Sequence, residues 1–197
     1  MAWAMAIRLG KGTRGLVLAA ICAGLLAWAA SVSTPNAAAS ACSRFGNTEP
    51  VSLNADDANR AIVCLLNQRR DRAGLPNLHS DRKLDRAAQH HNRRMDGTGC
   101  FDHSCSGESE LGRRLEHVGY LGGGLARWAY GENIAWGLGD RGTPRAIVKA
   151  WMNSPPHRDN ILNRDFREIG VGFDPGTPDG ARAPGGIYTT DFGLRVN

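Results

Sequence analysis

The sequence predicts an α+β sandwich, a small antiparallel sheet covered by helices, and three observations carry that expectation. Helical periodicities come first and interleave with few strands, which differs from the regular alternation of a parallel βαβ array. Two late strand-like runs, Glu168 to Asp174 and Ile187 to Phe192, flank a loop rich in Gly, Pro and Asp (175–186) and read as an antiparallel pair. After the first 41 residues the chain holds no internal repeat and no low-complexity segment, and the remaining 156 residues suffice for one domain with its own core.

Those first 41 residues read as a secretory signal peptide. Arg8, Lys11 and Arg14 precede an apolar run from Leu16 to Ala30, and small residues offer cleavage after Ala39 or Ala41. The run falls short of the roughly 20 residues that a membrane span needs, so no permanent anchor is expected. A lipoprotein reading of Cys42 fares worse, because Ala39 stands three residues before it and the apolar run ends well upstream. Without the leader, 21 Lys+Arg face 19 Asp+Glu, so the +5 of the whole chain falls to +2. Such a balance lacks the concentrated basic stripe of a nucleic-acid binder, and no nucleic-acid partner is expected.

Of five cysteines, Cys22 leaves with the leader, while Cys42, Cys64, Cys100 and Cys105 remain for an oxidising compartment. Four cysteines allow three pairings; Cys42–Cys64 with Cys100–Cys105 is the most local. The second pair would close a six-residue ring, Cys100-Phe101-Asp102-His103-Ser104-Cys105, that restricts where His103 points. A zinc ion on Cys100, His103 and Cys105 is the competing reading, and export weighs against it.

Taken in order, residues 42–56 read as an extended N-terminal arm. Asp56 to Ala73 is helical, with Ala58, Ile62, Leu65, Leu66 and Arg69 on or beside one face, and Gly74 and Pro76 end it. Ser80 can cap a second helix, Asp81 to Met95, whose inner face carries Leu84, Ala87, Ala88, His91 and Met95. His91 reads there as a packing residue, while His90 and Arg94 face water. A short helix follows from Ser109 to Val118, with Leu111, Leu115 and Val118 inward and Gly119 as terminator. Trp128 to Trp136 reads as extended structure. Thr143-Pro144 starts a helix with Ala146, Ile147, Ala150 and Trp151 as its apolar stripe, and Pro155-Pro156 stops it. His157 to Leu162 reads as a tight turn before the two late strands.

The chain has no His-Glu-x-x-His, no Gly-x-Ser-x-Gly and no phosphate-cradling Gly-x-x-x-x-Gly-Lys. A cysteine nucleophile is disfavoured because each mature cysteine has a plausible partner. A polar set remains at element ends: His103, Glu132, His157 and Asp191. Two imidazoles and a carboxylate can hold a divalent ion with water in an open position, or exchange protons near neutral pH without one. Equally, Glu132 and His157 could tie loops together through backbone amides. Spacing leaves all three readings open.

Several ordered segments resemble one family. They are Leu66-Asn67-Gln68-Arg69-Arg70 with Ala73-Gly74-Leu75, Ala87-Ala88 with His91 and Met95, Phe101-Asp102-His103, and Gly131-Glu132-Asn133-Ile134-Ala135. Trp151 to Leu162, Ile169-Gly170-Val171-Gly172 and Tyr188-Thr189-Thr190-Asp191-Phe192-Gly193 complete the set. Together they resemble the bacterial branch of the CAP superfamily (cysteine-rich secretory proteins, antigen 5 and pathogenesis-related 1, also called SCP-like). The resemblance implies a three-layer α-β-α sandwich over 57–197, a secreted or cell-envelope location, and a cleft of two histidines and two acids that takes zinc in some members. His103 matches the family's first histidine and Glu132 its first glutamate. The helix ending at Trp151-Met152 lacks the second glutamate, and Tyr188-Thr189-Thr190-Asp191 replaces the Gly-His-Phe-Thr-Gln segment.

Two functional expectations result. One is a secreted, monomeric, non-enzymatic binding module with a cleft at His103, Glu132, His157 and Asp191, engaging a lipid, peptide or cell-wall ligand with or without zinc. The other is a zinc-assisted hydrolase in which His103 and His157 hold the ion and Glu132 acts as base.

Overall fold

The computed structural model describes residues 5–11, 41–179 and 184–197. The expected leader therefore lies outside the described residues except for 5–11 and Ala41, as does the stretch 180–183 of the loop between the late strands. No helix among the described residues is long and apolar enough to cross a membrane.

Five strands form one sheet: β1 (Met5–Lys11), β2 (His79–Ser80), β3 (Arg127–Leu138), β4 (Glu168–Pro175) and β5 (Gly185–Val196). Their order is β1-β3-β5-β4-β2. All neighbours are antiparallel except the two-residue β2, which runs parallel to β4. The sequence reading missed β2, which is too short to show alternation, and it missed β1, which falls in the expected leader.

Two layers of helix cover the sheet, giving the α-β-α sandwich that the resemblance implied. Side chains of successive strand residues point to opposite faces, and the core divides accordingly. On one face, α1 (Ala55–Arg72), α4 (Pro144–Asn153) and α5 (Pro155–Ile161) bury Ile62, Leu66, Trp151 and Ile161 against Ala129, Val171, Tyr188 and Phe192. On the other, α2 (Arg82–Thr98) and α3 (Leu111–His117) bury Leu84, Leu115 and Met95 against Tyr130, Ile134 and Ile187.

The run Ile169-Gly170-Val171-Gly172 explains how closely α2 lies. Ile169 and Val171 fill the α1 side, whereas a methyl group at Gly170 or Gly172 would collide with the α2 backbone at Leu84 or Ala88. The absent side chains let helix and strand touch, and Asp85 and Gln89 fasten the contact by accepting the backbone N–H of Val171 and Phe173.

Local details differ from the sequence reading in four places. Asp81 rather than Ser80 caps α2, because its carboxylate accepts from the N–H groups of both Lys83 and Leu84. Arg70 rather than Arg69 is the inward arginine of α1; its guanidinium donates to the carbonyls of Pro76, Ile161, Asn163 and Phe166. Residues 42–56 are not extended throughout, since Phe45 N–H bonds Ala41 O and Pro50–Ser52 form a 3₁₀ turn. Pro155 starts a helix as well as stopping one. A proline at the first helical position loses no hydrogen bond, so the expected turn at His157 to Leu162 is largely α5.

Both expected disulfides are formed, Cys42–Cys64 and Cys100–Cys105, with Cα separations of 5.5 and 5.9 Å.

Candidate functional site

On the α2–α3 face of the sheet, buried charged groups converge around Glu132. This side chain projects from the middle of β3, and strand alternation sends its neighbour Asn133 to the α5 side. The disulfide ring brings in His103, whose Nδ1 donates to Glu132 Oε1 at 2.5 Å. From α3, Arg114 Nη2 donates to Glu132 Oε2 at 2.5 Å, and Nη1 reaches Glu108 Oε1 at 3.3 Å. From α2, His91 Nδ1 donates to the Glu108 carboxylate at 2.8 and 3.0 Å. His91 Nε2 stands 4.0 Å from Glu132 Oε1 and makes no hydrogen bond among the described residues. Opposite Glu132 in the ladder is Asp191 of β5, fully buried.

The charges of this cluster follow from its partners. Burial alone would raise Glu132, but the Arg114 guanidinium and the His103 hydrogen bond hold it down to about 2. Glu108 is lowered too, because its bond and charge contact with His91 and the pull of Arg114 outweigh its burial. Asp191 goes the other way. Burial and the neighbouring Glu132 charge push it well above the ordinary carboxylate range. No hydrogen bond of ordinary geometry among the described residues reaches either of its oxygens, although Glu132 is close enough to act on it. The two carboxyl groups are thus driven in opposite directions, Glu132 down and Asp191 up.

The sequence-predicted residues divide between two faces. His103, Glu132 and Asp191 come together. His157 does not join them: it lies on α5, across the sheet, where its ring Nδ1 bonds Ser154 Oγ at 2.7 Å and its carbonyl accepts from Asn133 Nδ2. The expected zinc pair of His103 and His157 therefore does not fit. Both Glu132 oxygens are already engaged, and among the described residues no group of three or more His, Cys, Asp or Glu is arranged to hold a metal ion.

The sequence reading missed His91, Glu108 and Arg114. A buried histidine on an apolar stripe gives no signal of its own. Arg114 did give one, since it shares the inner face of α3 with Leu111 and Leu115 at helical spacing. Glu108 lies in a turn closed by its own N–H on Cys105 O, where no periodicity operates.

His103 reaches the surface at the edge of the cluster, with 12% of its side chain exposed. It opens on a cavity of about 260 Å³ lined by Asp102, Ser104, Glu110, Leu111, Gly112 and Tyr130. Gly112 matters to its shape, because a methyl there would meet the Tyr130 hydroxyl at 2.6 Å.

The model of the cysteine-rich secretory protein family (CAP) matches residues 63–191. The chain belongs to this family. It is 32% identical over 145 residues to YkwD of Bacillus subtilis (strain 168), an uncharacterized protein, covering 74% of this chain and 53% of that one. YlbC, an uncharacterized membrane protein of the same strain, is 33% identical over 119 residues, 59% of this chain and 32% of its own length. This chain therefore spans about half of the first relative and a third of the second. An SCP-domain extracellular protein from Bacillus anthracis superposes with a TM-score of 0.56 at 30% identity, over 70% of this chain and 40% of that one. An outer surface protein from Borrelia burgdorferi shares the fold, with a TM-score of 0.58 at 20% identity over 73% of this chain and 96% of its own. The buried cluster of His91, Glu108, Arg114, Glu132 and Asp191 lies within the matched span, as does His103 of the disulfide ring.

Proposed function

We propose that this chain is an extracellular, non-enzymatic binding module whose cleft at His103 takes a polar peptide or cell-wall fragment. The carrying observation is the double engagement of Glu132. A carboxylate clamped between Arg114 and His103 and held at about 2 is a weak base at neutral pH. It serves to orient His103 at the cavity mouth. A zinc-assisted hydrolase would need Glu132 free as base and a second histidine beside His103, and His157 is across the sheet. The ligand class follows from the lining: Asp102 and Glu110 carboxylates and the Ser104 hydroxyl offer hydrogen-bonding groups, with Tyr130 and Leu111 as the apolar wall. The extracellular setting is supported by the extracellular SCP-domain neighbour and by the two disulfides.

The test is an NMR titration of the disulfide-intact protein with soluble muropeptides and with a defined set of short peptides. Shifts should concentrate at residues 102–104, Leu111 and Tyr130, the added compound should be recovered intact, and His103→Ala should abolish the shifts. Sustained hydrolysis of any of these compounds, lost in His103→Ala, would refute a non-enzymatic role.

A further inference from the structure

The outward face of α2 carries cations and no acid. At about 100° per residue, Arg82, Lys83, Arg86, His90, Arg93 and Arg94 fall within one arc of about a third of the helix circumference, with Gly97 among them. Folding creates this stripe, because the acids of the same helix turn elsewhere. Asp81 caps the helix and pairs with Arg195 at 2.9 Å. Asp85 is drawn onto Asn59 and the Val171 N–H. Asp96 lies off the arc, on the side of Asp174.

The stripe keeps its charge. Arg82, Arg86 and Arg93 are exposed and make no ion pair among the described residues, although Asp174 feels Arg93. Lys83, Arg86 and Arg94 donate to the carbonyls of Gly119, Val118 and Ser106, contacts that fix their stems and neutralise nothing. On the adjoining α3, Glu116 is occupied by Arg113 at 2.9 Å.

We propose that this face docks a linear, phosphate-bearing polyanion of the extracellular surroundings. The complementarity is one of charge and shape. From Arg82 to Arg93 the helix rises about 16 Å, and a convex helix presents a line of guanidinium groups, not a plane. Arginine forks match phosphate oxygens two at a time. A membrane surface fits less well, since the arc holds no apolar residue to insert between headgroups. The surface is separate from the His103 cleft and does not depend on its role.

The experiment measures binding of fluorescently labelled inorganic polyphosphate by anisotropy at several salt concentrations. Wild-type protein should bind saturably and weaken as salt rises. The Arg82→Gln/Arg86→Gln/Arg93→Gln variant should lose at least about tenfold in affinity, and its log–log salt slope should be shallower by about 2, on the basis of about 0.7 per lost phosphate contact. Lys149→Gln, exposed on α4 across the sheet, and His103→Ala should bind as wild type does, the latter separating this surface from the cleft. Circular dichroism and a thermal melt establish that the triple variant is folded. The proposal is overturned if the folded triple variant binds like wild type. It is equally overturned if polyglutamate of equal charge, or phosphatidylglycerol vesicles, bind more tightly than polyphosphate.

Discussion

Glu132 and Asp191 stand directly opposite each other on β3 and β5, two buried carboxyl groups whose surroundings push their titrations apart. Arg114 and His103 favour the ionised form of Glu132, while burial and the Glu132 charge disfavour that of Asp191. Asp191→Asn puts a neutral amide of the same shape where burial disfavours a charge, and should change stability by less than about 1 kcal/mol. Glu132→Gln takes the charge away from a buried guanidinium and should cost about 3–5 kcal/mol. Urea unfolding at pH 7 compares the two. Equal losses would mean that the charge is not localised on Glu132.

The same pair gives the acid response its sign. Glu132 is depressed from 4.5 to about 2, so its contribution to stability is present above the unfolded value and is lost as pH falls through that window. Glu108, also lowered, adds in the same direction. Asp191 is raised, so its contribution is fully present below 3.8 and disappears as pH rises through its folded value. Wild-type protein should therefore lose stability between about pH 4.5 and 2, and Glu132→Gln should show a flatter profile there. Asp191→Asn should retain the acid limb. Guanidinium midpoints collected across this range decide the matter, and identical profiles for wild type and Glu132→Gln would exclude Glu132 as the source.

The two disulfides should differ in what they protect. On the chain-entropy argument the six-residue ring contributes about 2 kcal/mol and the Cys42–Cys64 loop about 3. The smaller contribution guards the functional residue, because Cys100–Cys105 spans His103 and nothing else of the cluster. Replacing Cys100 and Cys105 by Ser should speed amide exchange at 101–104 and weaken the His103–Glu132 contact, leaving α1 and its arm protected. Replacing Cys42 and Cys64 should do the reverse. Unchanged exchange at 101–104 in the first variant would show that Glu132 alone positions the histidine.

Local patterns in the chain made the layers legible and left the site half legible. The apolar stripe of α2 and the spacing of Ile169-Gly170-Val171-Gly172 belong to single elements, where period alone reports which face is buried. Phe101-Asp102-His103 and Gly131-Glu132-Asn133 were readable because each is a contiguous motif. The partners of Glu132 were not, since Arg114 and His91 reach it from two other elements and look locally like packing positions. His157 misled for a related reason: a polar residue beside a double proline suggests a loop, while the chain continues there as α5 and turns the ring toward Ser154 on the far side of the sheet.

His91 supplies the sharpest test of whether these missed residues organise the cleft. Its Nδ1 holds both oxygens of Glu108, and Glu108 lies in the segment joining the disulfide ring to α3, the two elements that form the cavity's walls. His91→Leu keeps most of the buried volume and removes the donor. Glu108 would then retain only the longer 3.3 Å contact with Arg114, so its carboxylate should titrate closer to the ordinary glutamate value. Losing a hydrogen bond to a charged group in this setting should cost about 1.5–3 kcal/mol. Carbon-detected NMR titration of Glu108, with amide exchange at 106–110, measures both effects, and the His103–Glu132 bond should survive because it does not pass through His91. A Glu108 that titrates as in wild type would mean that Arg114 suffices to hold it, and His91 would then be a packing residue after all.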